Sequence, residues 1–338
     1  MKLLIFEYAT SLGLESPTIT VEGQYMLEGL LSDLNHVGAD YLIDKNSNIR
    51  HNFSGCNHII IDKELSLWLD DNIASYDACF PVAPEEDHIL YGINKVLEDK
   101  GVEIIGSSSD AVLACSDKFE TYNLLKKDFS MIKSEKIFFN DLNSYKKLFS
   151  NNKKKMLVKP ADGVSCSGIW IVRSYADFIK ASAHIKRTTN LPFFLLQDYV
   201  EGISTSVSIL STGKEAMPLS LNLQKIGLNN GKLIYNGGKV PYKHEQSDNA
   251  KYISKKAVEC INGLKGYVGV DLLLDESNNE IYILEINPRL TTSYIALRRI
   301  LNFNLGEAII NAVYGSLPTE VKFKGSLSFL KKDEIIFK

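Results

Sequence analysis

Short apolar runs and amphipathic stretches alternate along the first third of the chain. Residues 2–6 (KLLIF) read as a buried strand, and residues 21–37 (VEGQYMLEGLLSDLNHV) carry apolar positions at helical spacing. YLID (41–44), HIIID (58–62) and ACFPVAP (78–84) are β-like, residues 86–100 predict a second amphipathic helix, and VEIIGS (102–107) a further strand. Strand–helix alternation of this kind implies a parallel sheet in an open α/β domain. The pattern ends this first domain near residue 110, where a single helix over roughly 110–127 follows. Residues 133–200 read β-α-β-β-α-β, with strands near 136–139, 156–159, 169–172 and 194–199, a compact α+β subdomain. The remainder opens with a strand at 203–211 and continues in antiparallel-looking strands and helices. The expected division is therefore 1–110, 111–200 and 201–338.

A length of 338 residues fits two or three domains. A net charge of −3 gives no bulk affinity for nucleic acid or an anionic membrane. No apolar stretch approaches the ~20 residues of a membrane helix, and MKLLIF is too short to be a signal peptide. The five cysteines form no C-x-x-C pair, which fits a reducing, cytoplasmic setting rather than a disulfide framework or structural zinc. Cys166 reads as a small loop residue rather than a nucleophile, and Lys153-Lys154-Lys155 as a solvated loop.

Candidate chemistry begins at LVKPADGVSCSGIWIV (157–172), a glycine-serine loop between two β-like runs. It matches neither G-x-x-x-x-G-K-[ST] nor G-x-G-x-x-G before a helix. A hairpin flap of this kind can close over polyphosphate and exclude water. Lys159 ends the strand before the flap and Lys118 lies earlier in SDK (116–118); each can neutralise phosphate oxygens.

The strongest signal is VGVDLLLDESNNEIYILEINPR (268–289). Two strongly apolar strands flank the turn ESNN, yet Asp271 lies inside the first, and Glu285, Asn287 and Arg289 occupy alternate positions in and after the second. Alternate strand residues share a face, and buried unpaired carboxylates are costly. Opposed hairpin residues have a constant index sum, so an odd loop would set Asp271 against Glu285. A three-residue loop with Asn279 near the left-handed region would do this. Two carboxylates and an amide suit Mg²⁺ bridging phosphates, and Arg289 adds charge where a phosphoryl group would transfer. In LLQDYVEGISTSVSIL (195–210), a strand-to-turn crossing can offer backbone groups to an adenine edge.

In this order, SDK, VKPADGVSCSGI (158–169), QDYVEG (197–202) and GVDLLLD…ILEINPR (269–289) resemble the ATP-grasp superfamily of carboxylate–amine ligases. The resemblance implies an ATP-grasp fold of mixed α/β and α+β class. Its parts would be an N-terminal open parallel α/β domain, a small α+β lid and a C-terminal antiparallel-sheet catalytic domain, with ATP between the last two. It implies Lys118 and Lys159 on phosphates, Gly163, Ser165 and Ser167 in the flap, and Gln197, Tyr199 and Val200 at the adenine hinge. Asp271, Glu285 and Asn287 would ligate Mg²⁺, with Mn²⁺ the alternative, and Arg289 would act with Lys159 near the transferred phosphoryl. Many members place a glutamate on the ribose shortly after the hinge glycine; here Ser204 stands there, leaving Glu201 or Ser204 for that contact.

A narrower resemblance, through MKLLIFEYATSLG, VEGQYMLEGLL, PVAPEEDHILY and YNGGKVPY (235–242), is to the archaeal tyramine–glutamate ligases of methanofuran biosynthesis. It implies small-molecule carboxylate and amine substrates, an acyl-phosphate intermediate and, by analogy alone, a homodimer. Glu7, Glu22 and Glu85 are then candidates for an ammonium, and Lys239 and Arg298 for a substrate carboxylate. The competing readings are a ligase for another acid–amine pair and a nucleotide-binding protein without chemistry; a biotin-dependent carboxylase is less favoured because the chain has no biotinylation segment.

Overall fold

The structure is a computed structural model describing residues 1–14, 17–46, 49, 53–150, 154–163, 166 and 168–338. Five parallel strands open the chain: β1 (Leu3–Glu7), β2 (Ala39–Ile43), β3 (Cys56–Ile60), β4 (Ala78–Val82) and β5 (Glu103–Ile104). Their order is β3-β2-β1-β4-β5, with β1 and β4 buried throughout. Central strands of a parallel sheet are covered on both faces, which is why KLLIF and ACFPV show no alternation.

The predicted helix over 110–127 is two helices, Ser109–Ser116 and Lys118–Leu125. Asp117 is extended (φ −100°, ψ 113°) and its carboxylate accepts from the Phe119 N–H, so it caps the second helix. Aspartate prefers this position because its side chain satisfies an orphan N–H of the first turn. The break puts Lys118 at the first helical position, and its N–H donates to the Ala161 carbonyl at 2.9 Å.

The lid strands are β6 (Ser134–Phe138), β7 (Met156–Lys159), β8 (Trp170–Val172) and β9 (Phe193–Asp198). They are followed by β10 (Ile203–Thr212), β11 (Ala216–Asn229), β12 (Lys232–Val240), β13 (Lys265–Asp275), β14 (Glu280–Asn287), β15 (Leu327–Lys331) and β16 (Ile335–Phe337). Among the described residues these eleven strands form one sheet, β14-β13-β10-β11-β12-β8-β7-β9-β6, with β15 and β16 on the flank of β12. Among the described residues the lid strands meet the rest of the sheet where Lys232 pairs with Trp170, the Ile171 N–H donating to the Gly231 carbonyl and the Leu233 N–H to the Ile169 carbonyl.

The largest core is shared between the two ends of the chain. Leu3, Leu27, Leu30 and Phe80 pack in one cluster with Tyr294, Leu297, Ile309 and Phe329. Asp33, on helix Pro17–Leu34, accepts from Tyr294 Oη (2.7 Å), Arg298 Nε (3.0 Å) and the Gly306 N–H (3.2 Å). Arg298 is thus committed to this buried tie rather than to the cleft. Among the described residues, no helix is long and apolar enough to cross a membrane.

Candidate functional site

A cleft of ≈ 690 Å³ opens between the lid strands and β10–β14. Its centre is the β13–β14 hairpin, in which Asp271 faces Glu285 and Gly269 faces Asn287. The facing pair is as expected, but the turn differs from the three-residue loop predicted. Asp275 pairs with Glu280, leaving a four-residue turn with Asn279 left-handed at φ +53°, and the register then shifts between Asp271 and Leu272. The shift is a bulge at Leu284. A bulge turns two consecutive side chains toward one face, so both Leu284 and Glu285 line the cleft.

Burial and the neighbouring Glu285 charge push the Asp271 carboxyl well above the usual carboxylate range. Burial works against ionising Glu285 too, but Lys118 Nζ, 3.0 Å from its Oε2, holds it below its ordinary value. The pair therefore favours holding one proton. Gln224 Nε2 donates to Asp271 Oδ1 at 3.0 Å. Two facing carboxylates that cannot both ionise alone, with Asn287 two positions after Glu285 and lining the same cleft, form an oxygen donor set that fits Mg²⁺ or Mn²⁺.

The cations stand around this pair. Lys118 Nζ also donates to the Gly163 carbonyl, a few residues past the end of β7. Lys159, 6% exposed, makes no ion pair among the described residues, and burial with the nearby Lys118 charge lowers it to about 8. Arg289 Nε donates to Glu85 Oε2 at 2.8 Å, and burial is outweighed by Glu85, Glu22 and Glu285 in keeping it charged. The Cys166 thiol is pushed up to about 12 by burial and then by Glu285 and Asp271, which disfavours the thiolate.

At the lid side, Leu157 and Ile171 line the cleft together with Leu273 and Leu284, an apolar slot of the kind that takes a flat base. Tyr199 and Val200 also line it, in the crossing from β9 to β10, outside both ladders. Gly202 permits the crossing: a Cβ there would lie 2.5 Å from the Leu274 carbonyl oxygen. The Gln197 side chain is committed to the lid, donating to the Ile132 carbonyl (3.1 Å) and Ser134 Oγ (2.9 Å). Lys154 is exposed, as a solvated loop requires, and Lys155 is half-buried. Lys154 pairs with Asp198 at 2.9 Å and Lys155 Nζ sits 5.1 Å from the centre of the Tyr199 ring.

The cleft lining thus unites Lys118, Lys159, Gly163, Gln197, Tyr199, Val200, Ser204, Asp271, Glu285, Asn287 and Arg289. Of the two candidates for the ribose, Ser204 lines the cleft and Glu201 is exposed outside the lining. Ser165 and Ser167 lie outside the described residues. Glu7 is a buried helix cap, accepting from the Ala9 and Thr10 N–H groups. Lys239 and Arg298 do not line the cleft. Sequence reasoning missed Tyr235, Thr292 and Lys331: Tyr235 and Thr292 line the cleft, and Lys331 is ion-paired with the lining residue Glu22.

The chain matches the family model of the ATP-grasp domain over residues 115–293 and that of the pre-ATP-grasp 3 domain over 44–112. It belongs to the ATP-grasp family and is an ATP-dependent carbon–nitrogen ligase; enzymes of this family use ATP and Mg²⁺. A tyramine–L-glutamate ligase of Methanocaldococcus fervens is 35% identical over 88% of this chain and 89% of its own. The enzyme of that name from Methanocaldococcus jannaschii is 33% identical over 95% of this chain and 91% of its own. Among solved structures, an ATP-grasp superfamily protein from Archaeoglobus fulgidus superposes with a TM-score of 0.70 at 25% identity, covering 98% of this chain and 92% of that one. The biotin carboxylase domain of Hydrogenobacter thermophilus 2-oxoglutarate carboxylase, solved with MgADP and bicarbonate, shares the fold at a TM-score of 0.75 and 15% identity, covering 97% of this chain and 74% of that one.

Proposed function

We propose that the protein joins the γ-carboxylate of L-glutamate to the amine of tyramine, converting ATP to ADP and phosphate. The observation that carries the phosphoryl chemistry is the half-buried, facing Asp271–Glu285 pair, which lines the cleft together with Asn287, Lys118, Lys159 and Arg289. The substrate pair rests on the two tyramine–glutamate ligases similar over nearly the whole chain.

A carboxylate is a poor acyl donor because its leaving group would be an oxide. In the proposed first step a glutamate oxygen attacks the γ-phosphorus and the bond to the β-phosphate oxygen breaks, giving an acyl phosphate and ADP. Both reactants are anionic, so positioning and electrostatics dominate. Lys118 and Lys159 hold phosphate oxygens, Arg289 faces the charge that develops on the transferred group, and the apolar slot orients the base. A divalent ion held by Asp271, Glu285 and Asn287 supplies further charge neutralisation when bound. The flap excludes water from the acyl phosphate. In the second step the uncharged amine nitrogen attacks the acyl carbon, the carbon–oxygen bond to phosphate breaks, and the nitrogen loses a proton as the amide forms.

The test is incubation with ATP, Mg²⁺, glutamate and tyramine, with product identified by mass spectrometry. Stoichiometric ADP and γ-glutamyltyramide are expected, and hydroxylamine in place of tyramine should trap the acyl phosphate as a hydroxamate. Activity on a different acid–amine pair, with none on this one, would sink the substrate assignment while leaving the ligase reading in place.

A further inference from the structure

Beyond Arg289, the wall of the cleft carries a second charged cluster. Glu22, on helix Pro17–Leu34, accepts from Thr292 Oγ1 through one oxygen and pairs with Lys331 Nζ through the other. Thr292 precedes helix Ser293–Ile300, and Lys331 ends β15. Three distant segments therefore converge on one carboxylate. Glu22, Thr292 and Tyr235 line the cleft, and the Lys331 and Glu22 side chains retain only 9% and 12% exposure. Tyr235 connects this cluster to the hairpin carboxylates. Its ring centre is 5.9 Å from Lys331 Nζ, and burial with the charges of both Glu22 and Asp271 holds its hydroxyl far above its ordinary value.

The seating of Lys331 depends on the run Asn236-Gly237-Gly238. Gly237 has φ +122°, and a Cβ on it would stand 2.2 Å from the Phe329 carbonyl oxygen. The glycines let β15 close onto β12, where Gly237 pairs with Leu330, next to Lys331. Lys331 lies beyond the span of the ATP-grasp family match, which ends at residue 293.

A buried ion pair is weak as a stabilising device, since an apolar pair of equal volume serves as well or better. Its place on a cavity wall calls for another explanation. We propose that Glu22 and Lys331, with Thr292, form a subsite for the α-ammonium and α-carboxylate of an amino-acid substrate. Without substrate the two charges neutralise each other. A zwitterionic head group replaces that pairing with its own two charges, Glu22 taking the ammonium and Lys331 the carboxylate. A simple acid leaves Glu22 buried against no cation of the ligand, and a simple amine strands Lys331 in the same way. The subsite therefore selects an α-amino acid as the molecule to be activated at its distal carboxylate. This inference rests on the ligase reading above.

The test uses three acids: glutamate, glutarate without the ammonium, and 4-aminobutyrate without the α-carboxylate. ADP release with hydroxylamine as acceptor gives kcat/KM, and calorimetric titration into the protein with a non-hydrolysable ATP analogue gives affinity. Stranding one partner of a buried charge pair costs about 100-fold, so wild-type protein should discriminate against both analogues by about that factor. E22Q should lose about 100-fold on glutamate and stay within about threefold on glutarate; K331M should lose as much on glutamate and stay within about threefold on 4-aminobutyrate. Equal losses on all three acids would assign the pair a merely structural role and overturn the inference. Wild-type protein that uses glutarate as well as glutamate overturns it without any variant, and T292V, acting through Glu22, provides a milder perturbation that should weaken glutamate and 4-aminobutyrate while sparing glutarate. Were another α-amino acid to release ADP where glutamate does not, the substrate assignment would fail and the subsite would be supported.

Discussion

The two ends of the cleft treat buried charge in opposite ways. At the nucleotide end, charge is left incompletely matched. Lys159 is buried beside Lys118 without an ion pair among the described residues, and Asp271 and Glu285 face each other so closely that both resist being ionised together. Away from that end each cation already rests on a carboxylate, Arg289 on Glu85 at the junction and Lys331 on Glu22 at the far end. The difference follows from the ligands proposed. A polyphosphate with its divalent ion brings large charges of both signs, and a site awaiting them must hold charge in reserve. An amino-acid head group has no net charge, and a site that exchanges one pairing for another can remain neutral at all times.

Arg289 stands at the junction of the two ends, so it breaks the comparison most directly. R289M should lower kcat about 10³-fold, as loss of an arginine facing a transferring phosphoryl group does, while changing the KM for ATP by only about two- to threefold. Steady-state kinetics with ATP and glutamate varied separately would show this split. A loss confined to KM for ATP would assign Arg289 to ground-state nucleotide binding and move the junction toward the far end.

The next effect in size belongs to Lys159 and concerns pH. Its folded value, about 8, is below the ordinary 10.5 of lysine. The unfolded chain thus binds this proton more tightly, so stability rises as pH climbs from about 8 to about 10.5 and the penalty is fully present below that window, at about 3 kcal/mol. K159M should accordingly melt at a higher temperature than wild type at pH 7, and this advantage should shrink by pH 10. Nucleotide phosphates favour the charged form, so KM for ATP in the wild type should rise about tenfold between pH 7.5 and 9.5, with proton uptake on binding at the upper pH. A flat profile would mean that Lys159 is not held in reserve, and the contrast between the two ends would lose its main support.

The same division governs what could be read from the sequence. Glu285, Asn287 and Arg289 were legible because strand periodicity alone puts alternate residues on one face, and Asp271 because a hairpin opposes residues of constant index sum. The turn was misread, since a bulge at Leu284 does the work assigned to an odd loop, and bulges have no strict residue signature. The break at Asp117 has a local signal, because aspartate directly before a helical stretch is a cap. Glu22, Glu85 and Lys331 are different. Glu22 and Glu85 enter as candidates only through the narrower resemblance and Lys331 not at all, because no periodicity marks them: packing between the two chain ends sets Glu22 against Lys331 and Glu85 against Arg289. Charges that meet through tertiary packing leave no local pattern to find.

The smallest effect sharpens the comparison at the outer edge of the nucleotide end. Ser204 lines the cleft on β10, whereas Glu201 points into solvent from the crossing before it. A hydrogen bond from a neutral hydroxyl contributes about 1 kcal/mol net, so S204A should raise KM for ATP about fivefold, and E201A should leave it unchanged. The sugar itself supplies the control. Wild-type protein should bind 2′-deoxy-ATP about fivefold more weakly than ATP, and S204A should bind the two alike if the 2′-hydroxyl is the partner. Should E201A rather than S204A abolish that discrimination, the crossing at Gly202 must close further over bound nucleotide than it does here, bringing an exposed carboxylate into the site. The nucleotide end would then be the end that moves, and the charge held in reserve there would be charge awaiting closure as well as ligand.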